Sequence, residues 1–182
     1  MMLRLAGAFI AVLALVALAQ AQEGIAEPEQ YRADNYRAPV PATLAGGRVL
    51  TTGQAAAIWR AGNGVFIDVL PRAPKPQNLP AGTVWRDKPR LNVPGSIWLP
   101  DTGYGALAAL TEDYFRQGLA KASGGDKAKP LVIYCQANCW MSWNAARRAL
   151  TYGYTNVAWY PEGTDGWEAE GLPLTESEPE AR

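Results

Sequence analysis

Short apolar runs alternate with helix-like segments along this chain, and this alternation restricts the fold more than any other feature of the sequence. The runs are rich in β-branched or aromatic residues, and most are bounded by Gly or Pro; they lie at residues 48–50, 64–70, 96–100, 130–134 and 156–160. Strands that alternate with helices indicate a mostly parallel sheet covered on both faces. The sequence therefore predicts an α/β domain.

Capping residues mark the ends of several helices in this pattern. Thr51 and Gln54 form a capping-box pattern at the start of the first helix. A second helix is predicted over residues 111–122. Ser142 is a plausible N-cap and Gly153 a plausible stop for a helix over 142–154, and a short helical piece is expected within 162–174.

Between the second and third apolar runs lies a long stretch, residues 71–95, that carries six prolines. The pattern predicts an irregular loop there. Loops of this length inside a compact domain are usually functional or disordered.

The first 21 residues have the pattern of a secretory signal peptide. Arg4 precedes a continuous apolar run over residues 5–19, and Ala19-Gln20-Ala21 matches an A-x-A cleavage site. The run is shorter than the ~20 apolar residues that a membrane span needs. We therefore expect cleavage after Ala21 and an exported protein that has no membrane span after cleavage.

The rest of the chain divides into three segments. Residues 22–47 are polar and rich in proline, and are expected to be either an extension packed on the surface or a mobile terminus. Residues 48–176 form the domain. Residues 177–182 form an acidic tail that we expect to be solvated.

The charges and the missing histidine exclude several function classes. The 17 Lys and Arg residues balance 17 Asp and Glu residues, so the net charge gives no reason to expect a nucleic acid partner. The chain contains no histidine, which excludes Ser-His-Asp and Cys-His catalysis and histidine-based metal sites. Nothing in the residues requires a cofactor.

The two cysteines of the chain, Cys135 and Cys139, stand at the end of the most strand-like segment. In open α/β sheets ligands bind at the carboxyl ends of strands. A helix N-terminus also lowers a thiol pKa, which makes Cys135 a candidate nucleophile. Cys139 is close enough to bond it or to resolve an intermediate on it. A structural disulfide is the simpler alternative, whereas two thiolates alone leave a zinc site incomplete.

Several segments, taken in order, resemble those of rhodanese-like domains. They read FIDVLPR (66–72), NVPGSIWLP (92–100), VIYC (132–135), AARRALTYGYTNVAWYPEG (145–163) and DGWEAEGLPL (165–174). The resemblance covers roughly residues 48–176. It implies a rhodanese-like α/β fold, with a central, mostly parallel five-stranded sheet and helices on both faces.

A narrower resemblance concerns the segment YCQANCWMSWNAARRAL (134–150). It is similar to an exported bacterial family with a CXXCW-type motif, although three residues separate the cysteines here. Members are associated with pyrroloquinoline quinone (PQQ)-dependent catabolism. This resemblance implies a periplasmic accessory of quinoprotein alcohol oxidation, with a quinoprotein dehydrogenase or its cytochrome c as partner.

The rhodanese resemblance also implies where the reactive residues lie. Cys135 takes the place of the persulfide-forming cysteine, with Cys139 as its resolving or disulfide partner. The active-site loop comprises Gln136, Ala137, Asn138, Trp140, Met141 and Ser142. The implied substrate is a small thiol or a sulfur donor.

This loop departs from the rhodanese pattern because it lacks the cation that holds an anionic sulfur donor. The next cations, Arg147 and Arg148, fall inside the predicted helix and are expected to be solvated. A non-catalytic binding or maturation factor with a structural disulfide is the alternative function.

Four further residues are candidates for the edge of the pocket: Asp68, Trp143, Glu162 and Asp165. For Asp68 we expect hydrogen bonds that cap a loop rather than catalysis. Trp140 and Trp143 flank the loop and could either line a pocket or pack in the core.

Overall fold

The computed structural model describes residues 24–86 and 89–182. The predicted signal peptide lies outside the described residues. Within them, no helix combines the length and the apolar character that crossing a membrane requires.

Strands and helices alternate along the described chain. In chain order the elements are β1 (Arg48–Val49), α1 (Thr52–Ala61), β2 (Val65–Asp68), β3 (Arg90–Asn92), β4 (Ile97–Trp98), α2 (Ala109–Ser123), β5 (Leu131–Tyr134), α3 (Trp140–Thr151), β6 (Val157–Tyr160), α4 (Gly163–Ala169) and β7 (Thr175–Ser177).

Five of the strands form a parallel sheet in the order β1-β6-β5-β2-β4. Asp68 pairs with Tyr134, and Tyr134 pairs with Tyr160, so the carboxyl ends of β2, β5 and β6 lie level at one edge. The residues that follow these strands therefore meet at that edge. The predicted five-stranded sheet is confirmed.

The side chains of β5 alternate between two apolar cores. Leu131 and Ile133 pack with residues of α2 and α3, whereas Val132 and Tyr134 pack with residues of α1 and α4. Each is at most 1 % exposed. Burial of one such aliphatic side chain contributes about 1.5–3 kcal/mol, so this strand is held from both faces. Helices cover both faces, as predicted.

The starts of the helices agree with the sequence in one case and differ in another. The Thr51–Gln54 capping box is present, with the Thr51 N–H donating to Gln54 Oε1 over 3.0 Å. Helix α3 begins at Trp140 and not after Ser142. Ser142 lies buried in its first turn and donates to the Cys139 carbonyl over 2.9 Å. Ser142 does not cap the helix, because its hydroxyl donates to the carbonyl three residues earlier and accepts no N–H of the following turn.

The long segment 71–95 is not irregular throughout. It contains β3, which pairs antiparallel with β7 in a separate two-stranded sheet, with Arg90 opposite Ser177. A three-residue strand in a proline-rich segment has too little apolar pattern to be recognised. Its partner lies more than 80 residues further along the chain.

The acidic tail is packed rather than solvated. The Glu180 N–H donates to the Trp98 carbonyl over 2.9 Å, and the Tyr114 hydroxyl donates to the Glu180 carbonyl over 2.8 Å. Lys121 pairs with the Glu180 carboxylate. The tail therefore extends along the β4 edge of the sheet.

Candidate redox site at the end of β5

The cysteine loop begins where β5 ends and leads directly into α3. Cys135 follows the last strand residue, and Cys139 is the residue that precedes the helix. Asn138 has φ +52°, a left-handed conformation that asparagine tolerates better than most residues. This turn brings Cys139 back toward Cys135.

Cys135 and Cys139 form a disulfide, with their Cα atoms 6.6 Å apart. Cys135 is 0 % exposed and Cys139 is 2 % exposed. The bond is thus placed at the sheet edge that the sequence indicates, but both sulfurs are covered. Thiol chemistry at this site requires reduction of the bond and access to it.

The carbonyl of Cys135 accepts hydrogen bonds from three donors. They are the Thr164 N–H at 3.1 Å, the Thr164 hydroxyl at 3.2 Å and Arg90 Nη2 at 3.1 Å. Gly163 has φ +52°, and a Cβ there would lie 2.6 Å from the Cys135 oxygen. Only glycine allows α4 to approach the cysteine loop this closely.

Arg90 connects the ends of β2 and β5. Its Nε lies 2.7 Å from Asp68 Oδ2, and the Asp68 side chain is fully buried. Burial raises the pKa of the Asp68 carboxyl above its ordinary value, although the charge of Arg90 opposes this rise. Asp68 also accepts from the Leu70 N–H over 2.9 Å, which is the loop-capping bond expected from the sequence.

Arg90 and Thr164 were not among the predicted site residues. Arg90 lies in a segment whose irregular sequence gives no sign of which cation faces inward. Thr164 could have been found, because it follows β6 at the edge where all parallel strands end.

Of the two acidic candidates in the last loop, one reaches the site. Asp165 Oδ2 accepts from the Ala137 N–H in the cysteine loop over 3.3 Å. Glu162 is directed elsewhere: its carboxylate accepts from the Thr52 N–H over 3.0 Å at the start of α1. Glu162 therefore stabilises a helix N-terminus rather than the pocket edge.

The flanking tryptophans pack and do not line a pocket. Trp140 and Trp143 are 2 % and 0 % exposed. Their indole N–H groups donate to carbonyls of the N-terminal extension, Trp140 to Pro39 over 3.1 Å and Trp143 to Thr43 over 3.2 Å. Met141, next in the helix, is also buried. The extension is thus packed on the surface in its described part.

The expectation that Arg148 is solvated is wrong. Its side chain is buried and donates to the carbonyls of Thr102, Tyr104 and Gly105 over 2.9–3.1 Å. Arg147 donates to the carbonyls of Pro28 and Glu29 in the extension. Both arginines hold backbone segments, so neither serves as an anion site for the cysteine loop.

An open groove of about 340 Å³ lies at the same sheet edge. Its lining includes Leu70, Leu91, Trp98, Arg90 and Thr164. It therefore adjoins the carbonyl side of Cys135. Among the described residues, no cluster of Cys, Asp and Glu is arranged to hold a metal ion.

The comparisons agree with this architecture. Residues 86–170 match the profile of the Rhodanese-like domain family. This segment runs from just before β3 to the end of α4 and includes the whole cysteine loop. The chain therefore has the rhodanese-like α/β fold that the sequence predicts. No curated protein matches the chain in sequence.

Two solved structures are among the chains to which this chain is similar. Thiosulfate sulfurtransferase from Pseudomonas aeruginosa is 17 % identical over 74 % of this chain, with a TM-score of 0.49, and this chain spans 21 % of that chain. The polysulfide-sulfur transferase homodimer from Wolinella succinogenes is 23 % identical over 72 % of this chain and 80 % of that one, with a TM-score of 0.44.

Proposed function

We propose that this protein is a thiol–disulfide exchange protein built on a rhodanese-like fold, with Cys135 and Cys139 as its reacting pair. One observation carries the proposal: the two cysteines of the chain are bonded to each other at the carboxyl end of a central parallel strand. That edge is where open α/β sheets bind their ligands.

The contacts of the loop favour disulfide exchange over sulfur transfer from an anionic donor. Residues 135–141 contain no cation. The nearby guanidinium of Arg90 is already engaged by Asp68, Thr164 and the Cys135 carbonyl. The N–H groups of Ala137 and Trp140, which could hold an anion, donate to protein acceptors instead.

The exchange reaction balances with a dithiol as the reductant. A substrate thiolate attacks one sulfur of the Cys135–Cys139 bond, forms a mixed disulfide and releases the other sulfur as a thiolate. The second thiol of the substrate then attacks the substrate sulfur of this mixed disulfide and releases the remaining protein cysteine as a thiolate. The substrate leaves as a disulfide, and the protein retains two electrons as a dithiol.

The proposal extends to the setting implied by the signal sequence and the CXXCW-type resemblance. The protein acts in the periplasm and supports PQQ-dependent alcohol oxidation. Its partner there is a quinoprotein dehydrogenase or its cytochrome c. Deletion of the coding sequence should lower periplasmic quinoprotein activity in cells grown on an alcohol; unchanged activity would contradict this part of the proposal.

Alkylation of freshly isolated protein, followed by intact-mass measurement, tests the exchange chemistry. We expect a mixture of bonded and doubly alkylated cysteines that shifts toward the alkylated form after treatment with a mild dithiol. A pair that stays fully bonded under every native condition would overturn the exchange function.

The burial of both sulfurs favours a second candidate function, a non-catalytic binding or maturation factor with a structural disulfide. Replacing Cys135 with Ser distinguishes the two in cells. A binding factor should retain quinoprotein activity when the variant accumulates normally, whereas an exchange protein should lose it.

A further inference from the structure

A segment outside the strands and helices of the domain lies directly beside the second cysteine of the disulfide. Residues 32–44 of the N-terminal extension, here called the strap, cross the cysteine loop and the first turns of α3. Tyr36, Ala38 and Val40 of the strap pack against the apolar cluster that contains Cys135 and Cys139. Leu44, at the end of the strap, is itself part of this cluster.

The strap also occupies the start of α3. The Tyr36 carbonyl accepts from the Trp140 N–H over 2.9 Å, and Arg37 forms an antiparallel bridge with Cys139. A free amide at this position would be one of the donors that stabilise a cysteine thiolate at a helix N-terminus. The strap therefore lies against Cys139 and occupies a donor that a thiolate at this position would use.

Two anchors hold the strap at its beginning. The side-chain amide of Asn144, which is fully buried, accepts from the Arg32 N–H over 2.9 Å and donates to the Arg32 carbonyl over 2.8 Å. The Tyr36 hydroxyl accepts from the Gly105 N–H over 3.1 Å. A Cβ at Gly105 would lie 2.4 Å from the Arg32 oxygen, so glycine allows the strap to pass this closely.

We propose that the strap is a cis-acting cover that must leave α3 before a thiol can reach the Cys135–Cys139 bond. The proposal rests on the proposed exchange function and specifies its regulation. Reduction then proceeds only through strap-open molecules, and the dithiol reductant supplies the two electrons. Most hydrogen bonds between the strap and α3 are made by the strap backbone, so the strap can separate while the sheet and helices stay folded.

The rate of reduction under native conditions tests this proposal in the full chain. Dithiothreitol is the reductant, and samples are quenched with N-ethylmaleimide and followed by intact mass. Tyr36→Ala removes the strap ring that packs on Tyr104 and the acceptor of the Gly105 N–H. We expect reduction about 10-fold faster than in the wild type, the effect of losing roughly one hydrogen bond and its packing. Tyr36→Phe, which keeps the ring, should give a smaller increase.

Tyr114→Ala is the matched control. Tyr114 is a more deeply buried tyrosine on α2 whose hydroxyl donates to the Glu180 carbonyl of the tail. This variant should lower global stability but leave the native reduction rate unchanged. The rate in the wild type should also depend on urea much less steeply than global unfolding does.

Three results would overturn the proposal: equal rates in Tyr36→Ala and the wild type, faster reduction in Tyr114→Ala than in Tyr36→Ala, or a urea dependence equal to that of unfolding. Failure of the exchange function is a separate result. If Tyr36→Ala is reduced faster but the reduced pair transfers no electrons to glutathione disulfide, the result supports the strap as a cover and contradicts the exchange function.

Discussion

The two sides of the cysteine loop are held in different ways. On the carbonyl side, Arg90, Asp68 and Thr164 fix the Cys135 backbone through buried polar groups of the domain itself. On the side of α3, the neighbouring segment is the strap, which has no helix or regular strand and approaches from outside the sheet. The first arrangement sets geometry and resists change, whereas the second sets access and can open.

The largest expected loss of stability comes from a substitution that removes the ion pair behind the Cys135 carbonyl. Arg90→Met should lower the free energy of unfolding by about 3 kcal/mol, because it leaves the buried Asp68 carboxylate without its ion-pair partner. Urea denaturation measures this loss. Adding Asp68→Asn to the same chain should recover part of it, and a double variant less stable than Arg90→Met would contradict the role of the pair.

The close approach of α4 provides the next test of the carbonyl side. Gly163→Ala should cost about 2 kcal/mol, since the new Cβ would collide with the Cys135 carbonyl in addition to the strain of a positive φ. Gly171→Ala is the control. It shares a positive φ of +65° but has nothing within 4 Å of its Cβ, so it should cost about 1 kcal/mol. Equal losses would show that contact with the cysteine loop is unimportant.

On the strap side, Asn144→Ala should cost about 1–2 kcal/mol because it leaves the Arg32 and Gly103 backbone groups unpaired. Its larger effect should be local. Hydrogen exchange measured by mass spectrometry should speed up over the strap and at Trp140, but not in β5. Uniform acceleration across the sheet would mean that the strap and the domain unfold together.

The smallest expected effect lies at the exposed tip of the loop. Asp165→Ala removes a long hydrogen bond, 3.3 Å, from an exposed carboxylate to the Ala137 N–H. The change in unfolding free energy, measured by urea denaturation, should be no more than about 0.5 kcal/mol. A loss as large as that of Gly163→Ala would show that the loop tip, and not its base, fixes the disulfide.

The difference between the central sheet and the strap also explains how much of the fold the sequence could predict. The central strands β2, β5 and β6 are recognisable because they are buried on both faces and read as continuous apolar runs. Their parallel order then locates Cys135 at the edge where these parallel strands end. The position of the strap on α3 could not be predicted, since its hydrogen bonds to α3 are made largely through backbone carbonyls, which leave no pattern in the side chains.

Individual polar residues were harder to place than strands. The sequence suggests a solvated charge for Arg148 and a pocket-edge position for Glu162, yet each is directed by a backbone acceptor or donor that only the folded chain brings near. Asp68 was placed correctly because its position directly at a strand end indicates loop capping. Arg90, its ionic partner, lies in a segment where the sequence does not reveal the strand.

A redox titration of the native protein measures whether the Cys135–Cys139 pair exchanges electrons while the protein is folded. The protein is equilibrated with mixtures of reduced and oxidised glutathione, and the bonded fraction of Cys135–Cys139 is read by alkylation and intact mass. We predict one reversible two-electron transition, reached from either direction while circular dichroism shows a folded protein. A pair that becomes reduced only when the protein unfolds would contradict it.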